Sequence, residues 1–368
     1  MFHNFPKFTL LLVAVLLLVA CAPAVNPVAD PQADPEPGLV ADPAPEEETY
    51  SGGDVASETG TLVIYSGRSE SLVGPIIQQF AEVSGIDVQV RYGSTSEMAA
   101  ALLEEGANSP ADVFFAQDPG GLGAVEAAGL LAELPEDILS KVDAFYASPN
   151  GRWVGISGRA RVVVYNTERL QVSDLPDDLM GFTDTSWSGR LGIAPGNGSF
   201  QTMVTGMRQL WGEDETRAWL QAIADNNPTY YENNTSIVAA VAAGEVDAGL
   251  VNHYYLYRFL AEEGENFPAR NHYLADGGPG SLLMVAGAGR LANGENEANA
   301  LRFLNFLLSP VAQQYFASQT YEYPLVEGVA TSSLLIPLTE LNPPQIALGS
   351  LADLQGTVTL LQEVGMLP

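Results

Sequence analysis

The sequence is poor in cysteine, in histidine and in basic residues. Its 368 residues include one cysteine, three histidines and 15 Lys or Arg, against 45 Asp or Glu. A single cysteine cannot form a disulfide within the chain or build a thiolate metal cage. The formal charge of −30 repels nucleic acid and anionic lipid headgroups, which disfavours DNA and RNA as ligands. Such a charge is compatible with attraction of cations and equally with solubility alone.

The sequence also lacks common catalytic motifs. The histidines stand far apart, at positions 3, 253 and 272. The sequence contains neither an HExxH motif nor the paired carboxylates of a glycosidase. We therefore expect no enzyme, and a secreted metal-dependent hydrolase remains only a remote alternative.

The first 20 residues resemble a signal peptide. Lys7 precedes an apolar run from Phe8 to Ala20 that is short for a membrane span. The run ends in Leu-Val-Ala-Cys, which predicts lipid attachment at Cys21; the alternative is an uncleaved membrane anchor. Either interpretation places the rest of the chain outside the cytoplasmic membrane, and the first also anchors it there by lipid.

Residues 21–60 are predicted to be a linker. Residues 22–60 contain nine acidic residues, seven prolines and no Lys or Arg, a composition that favours an extended chain without a core. The remainder is long enough for two lobes. We place the first α/β lobe at 61–158 and 284–336, and the second at 159–283 and 337–368.

Strand and helix patterns alternate along this remainder. The predicted strands are 61–65, 87–92, 111–116, 190–194 and 246–251, with long extended passages at 153–166 and 281–289. The predicted helices are 71–83 (stopped by Gly85), 96–105, 200–210, 215–224, 237–243 and 297–308. Such alternation predicts parallel sheets with helices on both faces, and the two long passages predict two crossings between lobes. Ligands of such sheets bind beyond the carboxyl ends of the strands, which points to segments 66–70, 93–96 and 117–118.

Two adjacent tyrosines, Tyr254 and Tyr255, follow a predicted strand and begin a helix, with Asn252 as its expected N-cap. The first turn of a helix favours anions, including phenolates. A trivalent, oxygen-seeking cation can displace the phenolic protons, since metal binding and ligand deprotonation are linked. The pair therefore predicts two hard-oxygen metal ligands. The alternative is that both are core or rim aromatics.

The segment Pro195-Gly196-Asn197-Gly198-Ser199-Phe200 also leads from a strand into a helix. Its small residues expose backbone N–H groups to an anion. The segment lacks the lysine and the spacing of a P-loop. An anion site and a simple tight turn remain equally open here.

Several segments together resemble the ferric-iron-binding periplasmic proteins, the bacterial transferrin-like family of type II solute-binding proteins. The likeness runs from about residue 61 to 368 and is carried by VIYSGR (63–68), NSPADVFFAQ (108–117), GISGRARVVVYNTERL (155–170), GRLGIAPGNGSF (189–200), NNTSIVAAVAAGEVDAGLVNHYYLYRF (233–259) and YEYPLV (321–326). It implies a two-lobed Venus-flytrap fold with the ligand cleft between the lobes. It also implies delivery to an ABC permease and its ATPase, without turnover.

The resemblance assigns roles to particular residues. Tyr254 and Tyr255 match the family's tyrosine ligands of iron. The loop that holds a synergistic carbonate or phosphate matches Asn197, Gly198 and Ser199, and further anion contacts match Arg159, Asn234 and Asn252, with Ser69 on the first lobe.

The first-lobe half of the site departs from the family pattern. Ser69 and Glu70 stand where some relatives carry histidine, and Gln117 stands where others carry a glutamate ligand. Phe200 replaces the third tyrosine of one subgroup. The remaining candidates for the metal are Glu70, Gln117, Asp118 and, more weakly, Tyr65.

These observations predict a monomeric solute-binding lipoprotein of an ABC importer that carries ferric iron with a synergistic anion. A binding protein of the same fold for an organic cation or oxyanion, such as a polyamine, thiamine or a phosphonate, is the alternative. A sensor domain without a transport role also stays open.

Overall fold

The computed structural model describes residues 60–368; the predicted signal peptide, the lipidated Cys21 and almost all of the predicted linker lie outside them. Ten strands and eleven α-helices alternate along the described part. The strands are β1 (Thr61–Ser66), β2 (Asp87–Tyr92), β3 (Val113–Ala116), β4 (Val154–Asn166), β5 (Leu191–Ile193), β6 (Thr229–Tyr230), β7 (Ala248–Asn252), β8 (Ala269–His272), β9 (Leu283–Arg290) and β10 (Tyr323–Pro324). The helices are α1 (Glu70–Ser84), α2 (Thr95–Glu105), α3 (Pro119–Ala127), α4 (Glu136–Leu139), α5 (Gly198–Leu210), α6 (Glu213–Asp225), α7 (Asn234–Ala243), α8 (Tyr254–Glu263), α9 (Glu297–Leu307), α10 (Pro310–Gln319) and α11 (Leu354–Glu363).

Local signals place the predicted elements within a few residues of their observed ends. Gly85 ends α1 in the left-handed conformation, with φ of 70°, which glycine adopts without the cost that a Cβ imposes. Ser94 and Glu97 form a capping box at the start of α2. The helices α3, α4, α10 and α11 were not predicted; the apolar residues of α3 and α10 follow no clear helical period.

The strands form two groups with parallel pairing inside each. β1 pairs parallel with β2 and β3, and β5 pairs parallel with β6 and β7. Between the groups lie β9 and β4, which pair antiparallel with each other and with β3 and β7. The prediction of parallel sheets is therefore correct for the outer strands only, since β4 and β9 run against their neighbours.

The two long strands connect the halves of the molecule. Val154–Ala160 of β4 pairs with β9 in the first half, and Arg161–Asn166 pairs with β7 and β8 in the second. A two-residue β10 pairs with Ser157 and Gly158 on the same strand. The two predicted crossings are thus observed, and they lie side by side.

Each half has its own apolar core. Phe114, Trp153 and Phe303 belong to the first core, whereas Phe182 and Trp219 belong to a core of the second half. A further cluster packs α7 on the other face of the second sheet. Helices therefore cover both faces of the sheets, as the alternating pattern predicts.

The carboxyl-terminal segment contacts both halves. Leu348 and Leu351 lie in the first core, while Leu360 and Leu361 of α11 lie in the second. The boundaries drawn from the sequence assign this whole segment to the second lobe, and they remain a prediction. Within residues 60–368 no helix is both long and apolar enough to cross a bilayer.

Candidate functional site

A cavity of about 910 Å³ opens between the two halves. The first half lines it with residues that follow β1, β2 and β3, and the second with residues that follow β5, β6 and β7. The polar and glycine members include Gly67, Ser69, Gly93, Ser94, Thr95, Ser96, Gln117, Asp118, Gly196, Asn197, Gly198, Ser199, Asn233, Thr235, Tyr255 and Arg258, joined by Arg159 of β4. All three segments predicted from the strand ends contribute to this lining, as the geometry of parallel sheets requires.

The tyrosine pair begins α8 on the second-lobe side. Tyr254 is fully buried, Tyr255 lines the cavity, and their rings stack with centroids 4.3 Å apart. Burial first, and then the Tyr255 phenol, raise the pKa of Tyr254 well above its usual value of 10. Both tyrosines lie in the first helical turn, as predicted, and their rings are adjacent, although only Tyr255 lines the cavity.

The helix does not start as the sequence predicts. Asn252 is the last residue of β7, and His253 occupies the N-cap position without a side-chain cap. The His253 ring instead accepts from Ala160 N at 3.1 Å through Nδ1, and its Nε2 lies 2.8 Å from the Tyr321 carbonyl oxygen. Burial lowers the pKa of His253 to about 4. His253 thus anchors the tyrosine pair to the strand crossing and leaves no nitrogen free for a metal.

The glycine loop forms the start of α5 on the same side. Asn197 caps this helix, and its Oδ1 accepts from Ser199 N at 3.1 Å and from Ser199 Oγ at 2.6 Å. Asn234, the first residue of α7, donates to the same oxygen at 3.0 Å. The amino end of a helix favours an anion, and here it faces the cavity with its side chains already ordered.

Two arginines of β4 are buried beside these groups. Arg159 is fully buried and lines the cavity, and Arg161 is 1% exposed. Arg161 Nη1 reaches Asn252 Oδ1 at 3.0 Å, and Ser199 and Asn234 at 3.3 and 3.4 Å. Burial lowers the pKa of Arg161 to about 9, against the opposing effect of Tyr255.

Several polar atoms at this place have no hydrogen-bond partner among the described residues. They include all three guanidinium nitrogens of Arg159, Tyr254 Oη and Asn252 Nδ2. A buried donor without a partner costs about 1–3 kcal/mol, and more when charged. Arg159 lines the cavity, so its unpaired guanidinium fits a ligand that carries negatively charged oxygens.

The first-lobe side is sparser. Gln117 is half-buried, and its backbone N donates to Thr95 Oγ1 at 2.9 Å; Ser69 is exposed at the rim. Asp118 is the sole carboxylate among the cavity-lining residues and is only 8% exposed. Burial raises the pKa of Asp118, while Arg159 acts against that rise. A Cβ built on Gly198 would lie 3.7 Å from Asp118 Oδ2, so the two sides nearly meet here.

Two predicted candidates lie away from the cavity. The Tyr65 hydroxyl donates to Glu105 at 3.1 Å and accepts from Arg91 at 3.2 Å. Glu70 is exposed at the start of α1, next to Tyr92. Neither residue belongs to the cavity lining. The structure therefore does not bring Tyr65 or Glu70 together with the tyrosine pair.

Sequence patterns alone left Arg161 without a role. It is the second residue after Arg159 on the same strand, so both side chains leave the same face of the sheet. This alternation is the only feature of the sequence that indicates that Arg161 lies near the site. Arg258 is exposed at the cavity rim, and Tyr257 packs in the interior. Across residues 60–368, no group of three or more His, Cys, Asp or Glu side chains could hold a metal. Metal ligation would thus depend on the phenols.

A two-lobed α/β fold with a polar cleft at the strand ends defines the type II periplasmic binding proteins, a class of receptors rather than catalysts. The family model described as bacterial extracellular solute-binding protein matches residues 75–338. The chain belongs to this family and, within it, to the ferric-iron-binding periplasmic proteins. The family consists of solute-binding proteins and not of enzymes, which removes the hydrolase alternative.

Individual relatives match along nearly their whole length. The Fe(3+)-binding periplasmic protein of Serratia marcescens is 33% identical over 318 residues, which cover 86% of this chain and 94% of the relative. The crystal structure of iron-bound HitA from Pseudomonas aeruginosa superposes with a TM-score of 0.79 at 36% identity, covering 83% and 99% of the two chains. A Trichodesmium protein in complex with iron and citrate gives a TM-score of 0.73 at 28% identity, covering 83% and 99%.

Proposed function

We propose that this protein captures ferric iron in the cleft, with Tyr254 and Tyr255 as ligands and an oxyanion bound beside them, and delivers it to the permease of an ABC importer. The stacked phenols next to buried arginines without carboxylate partners carry this proposal. Relatives whose names state iron binding support it. A periplasmic location follows from the same relatives, and lipid anchoring through Cys21 belongs to the proposal.

A buried phenol such as Tyr254 is a ligand that favours a trivalent, oxygen-seeking metal. Burial keeps this phenol protonated at neutral pH, so binding must displace protons against that preference. A strongly charged cation does so and replaces the unfavourable buried phenolate by a metal–oxygen bond. An organic cation fits poorly, because the cavity presents Arg159 and Arg258 with Asp118 as the sole lining carboxylate.

Charge explains the need for an anion. Ferric iron with two phenolates keeps one net positive charge, and Arg159 and Arg161 add two more. Asp118 offsets only part of this, and uncompensated buried charge is costly. A carbonate or phosphate held by Gly198 and Ser199 at the start of α5 would balance the site, and citrate, found with iron in the Trichodesmium structure, is a third option.

The two sides then have different tasks. The second lobe would hold the metal and anion through Tyr254, Tyr255 and the groups around Asn197, Asn234 and Asn252. The first lobe would close over them, bringing Ser69, Gln117 and Asp118 to the complex. Reopening of the cleft, with loss of the anion or reduction of the iron, would release the iron at the permease. The protein would act as a monomer.

Titration of the apo-protein with ferric citrate tests this function. We expect a visible phenolate-to-iron charge-transfer band in the wild type, with and without added phosphate or carbonate as separate arms. Tyr254→Phe and Tyr255→Phe should each abolish the band, since each removes one phenolate. Tyr257→Phe is the matched control, because Tyr257 lies on the same helix but packs in the interior. Unchanged colour and affinity in both single variants would disprove the ligand assignment.

A further inference from the structure

Arg161 is an unusual residue for the interior of a protein. It is 1% exposed, and among the described residues no carboxylate lies within ion-pair distance of it. A buried charge without an ionic partner costs several kcal/mol. It also does not line the main cavity, so packing against a ligand does not explain its position.

Its hydrogen bonds join three separate segments. Nη1 donates to Ser199 Oγ in α5, to Asn234 Oδ1 in α7 and to Asn252 Oδ1 at the end of β7. These segments lie 38, 73 and 91 residues further along the chain. One guanidinium therefore connects every second-lobe element that contributes side chains to the predicted anion contacts.

These hydrogen bonds also fix the orientation of the side-chain amides of Asn234 and Asn252. An amide whose oxygen accepts from Arg161 must direct its NH₂ group elsewhere. Asn234 Nδ2 donates to Asn197 Oδ1 at 3.0 Å and to Ser199 Oγ at 3.2 Å. Asn252 Nδ2 is buried without any partner in the described chain. Arg161 thus fixes the orientation of the Asn252 amide, whose NH₂ group is unpaired among the described residues.

We propose that Arg161 is a positioning residue of the anion subsite: it holds Ser199 and the amides of Asn234 and Asn252 in place, so that the unpaired NH₂ group of Asn252 can donate to an oxyanion that Arg161 itself does not touch. This inference rests on the proposed function. The ligand class is a small oxyanion such as phosphate or carbonate. Arg159 contacts this anion, and Arg161 arranges the neutral groups that surround it.

The test measures how much inorganic phosphate is needed to load iron. Wild type, Arg161→Met and Arg161→Lys are titrated with phosphate at a fixed concentration of ferric nitrilotriacetate, and the charge-transfer band reports loading. We expect Arg161→Met to raise the phosphate concentration for half-loading at least about tenfold, equivalent to about 1.4 kcal/mol, and to reach the wild-type plateau at high phosphate. The lysine variant keeps the charge and should recover part of the loss.

A second variant separates positioning from folding. Asn252→Asp keeps the size and the acceptor oxygens for Arg161 but replaces the free NH₂ donor by oxygen. It should show the same shift in half-loading as Arg161→Met, with an apo-protein melting temperature at or above that of the wild type. If Arg161→Met does not fold, the lysine and Asn252 variants decide the question.

Two results would overturn the inference. In the first, the phosphate titration curve of Arg161→Met superposes on that of the wild type. If Arg161→Met does not fold, the curve of Asn252→Asp is compared instead. The other is a reduced plateau with an unchanged half-loading concentration, which would indicate damage to the iron ligands instead. A wild type without any band at saturating phosphate would instead reject the proposed function itself.

Discussion

Arg68 and Arg159 are both fully buried, yet their surroundings differ in kind. Arg68 follows β1, and its Nη2 donates to Glu322 Oε1 at 2.6 Å while its Nη1 donates to Ser157 at 3.1 Å. Its guanidinium also lies over the rings of Phe115 and Phe316. Arg159, on strand β4, has no hydrogen-bond partner for any guanidinium nitrogen within residues 60–368.

The difference separates a structural charge from a functional one. Arg68 is compensated by the chain itself, 254 residues away in sequence, and needs nothing else. Arg159 makes no such hydrogen bond within the described residues; Asp118 and Glu322 interact with it only electrostatically, and it lies near the tyrosine pair and lines the cavity. Burial alone would not have distinguished the two, whereas the hydrogen-bond partners do.

Removing the partner of Arg68 should have the largest effect on folding. Glu322→Gln leaves Arg68 buried without an opposite charge, and we expect the free energy of unfolding to fall by about 3–5 kcal/mol. Denaturant unfolding followed by circular dichroism measures this loss. The control is Glu105→Gln, whose partner Arg91 is half exposed and whose removal should cost at most about 1 kcal/mol. Equal losses in both variants would contradict the distinction drawn here.

Removing Arg159 should affect ligand binding instead of folding. Arg159→Met removes a buried charge that makes no hydrogen bond within the described residues and interacts with Asp118 and Glu322 only electrostatically, so the apo-protein should lose much less stability than Glu322→Gln does. Phosphate at 100 times its Kd should stabilise the wild type by about 2.7 kcal/mol and the variant far less. Thermal unfolding with and without phosphate measures both quantities. A marked loss of apo stability would mean that Arg159 is structural like Arg68.

The Arg68–Glu322 ion pair should also make a smaller contribution to how the free energy of unfolding depends on pH in the acidic range. Burial by itself raises the pKa of Glu322, but Arg68 and then Arg159, with hydrogen bonds from Arg68 and Ser157, bring it below its usual 4.5. The folded pKa is thus the lower one, so this stabilisation is present above pH 4.5 and is lost as the pH falls through the folded pKa. Unfolding measured between pH 6 and 3 should have a shallower slope in Glu322→Gln than in the wild type. Identical slopes would exclude Glu322 as the titrating group.

The local elements and half of the site could be predicted from sequence. Gly85 ends α1 because of its backbone freedom, and the tyrosine pair begins a helix beyond a strand end, where parallel sheets bind ligands. The N-cap at Asn252 was wrong because β7 extends one residue further than its apolar run, and the side chain is bonded to Arg161. The residues next to Asn252 in the sequence do not indicate that its side chain bonds to Arg161, 91 residues away.

The first-lobe half of the site was harder to predict for a similar reason. Tyr65 lies on a strand that leads to the cleft, but its hydroxyl is engaged by Glu105 and Arg91. Glu70 is one residue beyond Ser69, and helix geometry places it outside the cavity. Asp118 is buried in the cleft because α3, which was not predicted, begins there and uses it as a cap.

The sequence by itself determined the alternation of strands and helices, the two crossings, the adjacent phenols at a helix start and the small residues of the glycine loop before α5. These features depend on residues within a turn or two of each other, where backbone preference and hydrophobic period act. The tertiary structure alone decided which buried arginine is paired, which carboxylate faces the cleft and where the free donors lie. Those outcomes depend on contacts between residues tens to hundreds of positions apart, and only the packing of complete elements brings such residues together.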